Sequence, residues 1–282
     1  MNSAYKEFLR RLKLVISKNP ELIKITLSNI FTMRIVGNKT HGDLAEIALT
    51  EFINQYMYDY KSEHIGKQKF RAKEFEEDIM VINEISKEKF LISIKAYGHG
   101  PLQLSTDKGF KMFPKLQKVL ANKKEIIGNK KISKILEGKE FSSLSYLNVL
   151  PLIYDEKNKK CNIMVFDFEK AKMEVEVIKL EREGKGRKYP VYRFYNVRGE
   201  YICEVRYGGK DANALQRGFW THTKHAENYF NSITGGWIDY SDNWILVNLF
   251  KYALISSKEG HEKAINVLRE DIEKLKKGKK GL

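Results

Sequence analysis

Cysteine is scarce: the chain has 282 residues and two cysteines, Cys161 and Cys203, neither with a near partner in sequence. A disulfide framework is therefore not indicated, and a reducing, cytoplasmic setting is expected. No apolar run approaches the length of a membrane span. The charged, amphipathic start from Met1 to Phe8 has no signal-peptide core. No membrane partner is expected. The chain also lacks a phosphate-cradling Walker loop, a dinucleotide fingerprint and a Gly-X-Ser-X-Gly elbow. His222 and His225 stand three apart, but no cysteine, third histidine or nearby acid completes a zinc site around them. There is no long repeat, low-complexity linker or clear domain boundary.

Acid is in deficit as well. Asp and Glu number 36 against 51 Lys and Arg, a formal net charge of +15. That balance favours a polyanionic partner, since Lys and Arg neutralise phosphates and release counterions. A basic protein from a lysine-rich proteome has the same balance.

In chain order, Phe8, Leu9, Leu12, Val15 and Ile16 carry helical spacing over 3–18, which Asn19-Pro20 ends. A second helix is predicted over about 21–33. Thr40 or Asp43 can cap a third, whose apolar stripe is Leu49, Ile53 and Met57. Glu46 sits on or beside that stripe. An acid there needs a partner, either a salt bridge or a metal ion.

The stretch 74–98 reads as two strands joined by a polar turn near Ser86 and Lys87. Asp78 opens Ile79-Met-Val-Ile82, and Lys95 closes Phe90-Leu-Ile-Ser-Ile-Lys95. Period-two alternation puts Ser93 and Lys95 on one face and Ile92 and Ile94 on the other. The turn brings Asp78 beside Lys95, and a lysine interrupting an apolar strand asks for an acid, Asp78 or Glu46.

Lysine is dense from 108 to 140; a solvated helical face is the default for such a run, while its place just after the hairpin suits phosphate contacts. A short apolar strand ending at Tyr154 is predicted within 144–154, then a hairpin of 163–168 with 173–180, and another of 191–196 with 200–207. Lys185 and Arg187 lie in a basic, Gly-containing loop. Asn213, Gln216 and Arg217, in a polar segment, are side-chain types that read base edges. A C-terminal helix is predicted over about 244–275.

Asp78, the Ser93-Ile-Lys95 frame and Glu46 together resemble the core of the PD-(D/E)XK nuclease superfamily, to which most type II restriction endonucleases belong. In that family an acid opens one strand, an acid-X-Lys tripeptide ends the next, and a preceding helix often adds a Glu. The resemblance covers about 42–107. It departs at Glu77, where Pro is usual, and at Ser93, where the second acid usually stands. Glu46 is the natural substitute for that acid; Glu77 and Glu204 are weaker ones. Glu204-Val-Arg206 echoes the tripeptide without an acidic partner strand and is read as recognition or phosphate clamping.

The resemblance implies an α/β fold, a restriction-endonuclease-like mixed central sheet flanked by helices, with extra β hairpins in the C-terminal half. It implies a nuclease core over 1–145 and a DNA-recognition and helical part over 146–282. It further implies Mg²⁺ held by Asp78 and Glu46, with Lys95 at the attacking water and the scissile phosphate. Double-stranded DNA would be the substrate. Arg206, Gln103, Lys185, Arg187, Asn213, Gln216 and Arg217 would contact it, and a palindromic target would imply a homodimer. The alternatives are a repair or recombination nuclease of the same fold and a non-catalytic DNA-binding protein.

Overall fold

The computed structural model describes residues 3–25, 41–65, 78–107, 109–121, 123–155, 157–181, 189–207, 217–239, 241, 266, 270 and 274, with backbone alone at 41–44 and 146. The chain is mixed α/β with two sheets, and it divides into two compact units. The division is not at one point of the sequence. Described residues within 2–98, 148–164 and 232–282 form one unit, and those within 99–147 and 165–231 form the other. The expected boundary at 145 and 146 falls beside one of these crossings.

One sheet is mixed and seven-stranded, in the order β1-β2-β3-β6-β7-β12 with β13 also on β7; β1, β2, β3, β6 and β13 lie wholly in the first unit. Its strands are β1 (Tyr60–His64), β2 (Ile79–Asn83), β3 (Lys89–Tyr97), β6 (Val149–Asp155), β7 (Lys160–Phe166), β12 (Phe230–Ser232) and β13 (Ile238–Asp239). The β2–β3 hairpin forms as its alternation predicts, with Ile79 opposite Ile92 and Ile82 opposite Lys89. Its turn is built by Asn83, whose side-chain oxygen accepts from the N–H groups of Ile85 (2.9 Å) and Ser86 (3.0 Å). β3 then runs parallel to β6.

Two helices supply the apolar cover of this sheet. α1 (Ser3–Lys18) buries one face; its Tyr5 and Phe8 rings meet Phe90, and Phe8 also meets Tyr60 at 5.4 Å. α2 (His41–Tyr56) packs on β1 and β3, with Ala45, Ala48 and Leu49 around a small apolar cavity shared with Ile94, Leu150 and Ile163. Small residues at 45 and 48 let the helix approach closely. Asn54 fixes its register: the side chain accepts from Ser62 N–H (2.7 Å) and donates to Ser62 C=O (3.0 Å). Of the predicted second helix, 20–25 are helical; its remainder lies outside the described residues, as does most of the predicted C-terminal helix.

The second unit holds a six-stranded antiparallel sheet in the order β4-β11-β10-β9-β8-β5. The strands are β4 (Pro101–Ser105), β5 (Glu125–Ile127), β8 (Val177–Glu181), β9 (Val191–Tyr195), β10 (Tyr201–Arg206) and β11 (Gly218–His222). Helices α3 (Met112–Leu120), α4 (Asn129–Leu136), α5 (Phe168–Glu174) and α6 (Ala226–Tyr229) accompany it, with 3₁₀ turns at Ser142–Tyr146 and Thr223–His225. Its core is aromatic: Phe113 packs on Tyr192, and Phe168 and Phe166 on Phe219.

The β9–β10 hairpin is as predicted. The predicted hairpin of 163–168 with 173–180 does not form. Asp167 caps a helix there, accepting from Lys170 N–H at 2.9 Å, so Phe168–Glu174 is helical. β7 pairs with β6, while β8 pairs with β9 and β5. The short strand predicted within 144–154 forms as β6, Val149–Asp155, after a 3₁₀ turn.

Candidate active site

The geometry gathers at the open end of the β2–β3 hairpin. Asp78 precedes β2 and is locked on both sides by its backbone: its N–H donates to Ile92 C=O (3.0 Å), and its C=O accepts from Ile65 N–H (3.1 Å). Its carboxylate turns toward β3. Oδ2 accepts from the Ser93 hydroxyl (3.0 Å) and from Ile94 N–H (2.6 Å). Burial lifts the Asp78 carboxyl above the ordinary aspartate range, and Lys95, then the two hydrogen bonds, then His64 pull it back part of the way.

Burial along β3 follows the expected two-residue period: Phe90, Ile92 and Ile94 are buried, while Leu91, Ser93 and Lys95 are half-buried. Ser93 and Lys95 thus share the face that Asp78 reaches. The hydroxyl that stands in the usual acid position is a donor to the first acid.

Glu46 is on α2, and its Oε2 lies 2.8 Å from His64 Nε2. The link between α2 and β1 through Asn54 and Ser62 sets this pairing, because His64 follows Ser62 by two residues on the same strand. His64 lies opposite Ile79, the neighbour of Asp78. A partly buried string therefore runs from Glu46 through His64 to the surroundings of Asp78, Ser93 and Lys95.

His64 is the residue that sequence reasoning missed. The signal is weak but present: β1 buries Tyr60 and Ser62 and exposes Lys61 and Glu63, a short alternation directly after the buried Met57.

The fit to a metal ion follows from the donors. Among the described residues, no three His, Cys, Asp or Glu side chains stand close enough to form a preformed metal cage. Mg²⁺ seldom uses such a cage; one or two carboxylates suffice, with phosphate oxygens and waters completing its octahedron. Asp78 and Glu46 are the two carboxylates of the string. Among the described residues, that donor set is of the kind Mg²⁺ uses together with substrate phosphate.

The remaining candidates lie elsewhere. Glu204, a weaker substitute acid, belongs to the six-stranded sheet, is 4% exposed, and accepts from Arg193 Nε (3.1 Å) and Arg206 Nε (2.6 Å). Arg206 also lies over the Trp220 ring at 3.6 Å. Gln103 of β4 is buried, and its amide donates to Arg217 C=O (2.9 Å). Arg217 stacks over Phe110 at 4.1 Å. Gln103 and Arg206 thus help build the sheet: Gln103, Trp220, Glu204, Arg193, Lys179 and Glu125 form one cross-strand row over its six strands.

His99 packs against His222 at 5.1 Å in the six-stranded unit. Glu77, Lys185, Arg187, Asn213 and Gln216 lie outside the described residues. Among the described residues no helix is long and apolar enough to cross a membrane.

The chain matches no protein-family model, and comparison with curated proteins and with solved structures finds no similar protein.

Proposed function

We propose that the protein is a Mg²⁺-dependent endonuclease acting on double-stranded DNA, of the type II restriction class, working in the cytoplasm as a homodimer on a palindromic site. One observation carries the reading. A half-buried acid at the mouth of β2 and a lysine on β3 share one face of a mixed sheet, in a chain of net charge +15. A helix lying before the hairpin in sequence contributes a further acid, Glu46. This is the arrangement of the PD-(D/E)XK nucleases that the residues resemble, and it supports a restriction-endonuclease-like fold for the seven-stranded unit.

The roles follow from the chemistry. Asp78 and Glu46 would hold Mg²⁺, which when bound lowers the pKa of water and offsets phosphate charge. Ser93 O–H and Ile94 N–H fix the Asp78 carboxylate in one orientation. His64 fixes Glu46 in the same way. Lys95 places an ammonium at the scissile phosphate and orients the water that attacks in line with the leaving oxygen. The phosphorus–oxygen ester bond breaks as the new one forms.

One observation favours a non-catalytic DNA-binding protein: Ser93 stands where the second acid is usual. Plasmid DNA with Mg²⁺ decides between them. Discrete fragments, lost with Asp78→Ala and with Lys95→Ala, are the expected result. A smear would point to a repair nuclease, and binding without cleavage in any divalent metal would sink the enzymatic reading.

A further inference from the structure

Between 108 and 140 the chain has ten lysines and three acids, Glu125, Glu137 and Glu140. Each acid is already engaged. Glu140 pairs with Lys115 (3.4 Å), Glu125 with Lys179 (3.5 Å) and Glu137 with Lys172 (3.8 Å), the last two lysines lying outside the stretch. Lys111, Lys118, Lys123, Lys124, Lys130, Lys131, Lys134 and Lys139 are all exposed, and the described residues offer them no ion-pair partner.

The fold sorts these charges onto faces. α3 buries Met112, Phe113, Leu116 and Leu120, which leaves Lys111, Lys115 and Lys118 as a stripe on its outer side. α4 buries Ile132, Ile135 and Leu136, and Lys130, Lys131 and Lys134 take the opposite side. The Lys115–Glu140 pair ties α3 to the chain just beyond α4. Lys123 and Lys124 lie between the helices in sequence, ahead of Ile127, which is 60% exposed.

The start of α4 is the telling place. Its first turn has no acid and two lysines, where the helix dipole disfavours cations. A single carboxylate, from Glu176, reaches Asn129 N–H (3.2 Å). Helix stability alone would put acids at 130 and 131. Lysines there lower helix stability and have no ion-pair partner among the described residues, which points to a ligand of opposite charge.

We infer that the outer faces of α3 and α4, with the lysines between them, form a surface that grips the phosphate backbone of duplex DNA independently of base sequence. The inference rests on duplex DNA being the substrate, and it assigns the backbone contacts to a part of the chain separate in sequence from the hairpin site. Lysine ammoniums suit this task, because they act as point charges with no fixed base-edge geometry.

The test is binding of a short fluorescent duplex in EDTA, where cleavage plays no part, across about 50 to 200 mM salt. The variant Lys130→Gln/Lys131→Gln/Lys134→Gln is compared with a charge-matched control in α1, Lys6→Gln/Lys13→Gln/Lys18→Gln. The α4 triple should flatten the slope of log K against log salt by about 2–3, near 0.9 per lost phosphate contact, and the control should leave it unchanged. Lys118→Gln/Lys123→Gln/Lys124→Gln should act like the α4 triple, which covers misfolding of either one. Equal slopes in all variants would overturn the inference. So would an α4 triple that loses phosphatidylserine vesicles while its duplex slope stands. Plasmid cleavage with Mg²⁺, measured alongside, reports the hairpin site separately.

Discussion

Ser93 and Asp78 are joined across the β2–β3 hairpin by a hydrogen bond in which the serine hydroxyl donates to the carboxylate at 3.0 Å. An acid at position 93 could not make that bond while ionised. Ser93→Asp places two carboxylates together in a half-buried site, and their repulsion disfavours the ionised pair. The variant is expected to melt below the wild type in EDTA and to recover more strongly than the wild type on adding Mg²⁺. Thermal melts with and without Mg²⁺ check this; a Mg²⁺ response equal to that of the wild type would exclude a metal position beside Asp78.

Asp78 is held at a cost to stability. Its folded pKa is raised, chiefly by burial, so the penalty is absent below the unfolded value of 3.8 and grows as pH rises through the folded value. Asp78→Asn keeps an acceptor for Ser93 and Ile94 and removes the charge. It is expected to be inactive yet to melt above the wild type at neutral pH, with the gap closing in acid. Melting curves over pH check it, and a gap constant with pH refutes it.

His225 gives the opposite dependence. It is 8% exposed among Tyr201, Tyr229 and His222, and its Nε2 finds no hydrogen-bond partner among the described residues. Burial, followed by Lys224 and His222, lowers its pKa from 6.5 to about 4, with Glu200 opposing. The folded state resists the proton, so stability falls as pH drops from 6.5 towards 4, by about 2–3 kcal/mol. His225→Phe keeps the aromatic packing and should lose most of that decline in denaturant titrations at descending pH.

Gly218 begins β11 at a φ of +102°, and a Cβ there would meet Ser105 C=O at 1.8 Å. Gly218→Ala is expected to destabilise the protein by about 3 kcal/mol through strain and displacement of β4. A shift of the denaturation midpoint reads this directly, and a neutral result would mean that β4 is free to move.

The hairpin was legible because its alternation is strict, its turn is polar, and its lysine interrupts an apolar strand. The faces of Ser93 and Lys95 followed from period two alone. His64 was only faintly legible, since β1 has one large buried side chain, Tyr60, and its other buried position is Ser62. The strand predicted at 173–180 failed at its start because the Asp167 cap won over β-propensity from residue 168. Pairing partners were hidden more deeply. β8 carries an alternating pattern that any strand could match, and nothing in it names β5 and β9 as neighbours.

The path of the chain through its two sheets has a consequence for synthesis. β13 pairs with β7, although more than seventy residues separate Ile238 from Cys161. A nascent chain that ends before Ile238 leaves that edge of β7 without its last strand while the segment 165–231 is still being made. During translation, that edge of β7 is thus open to pairing with a neighbouring nascent chain.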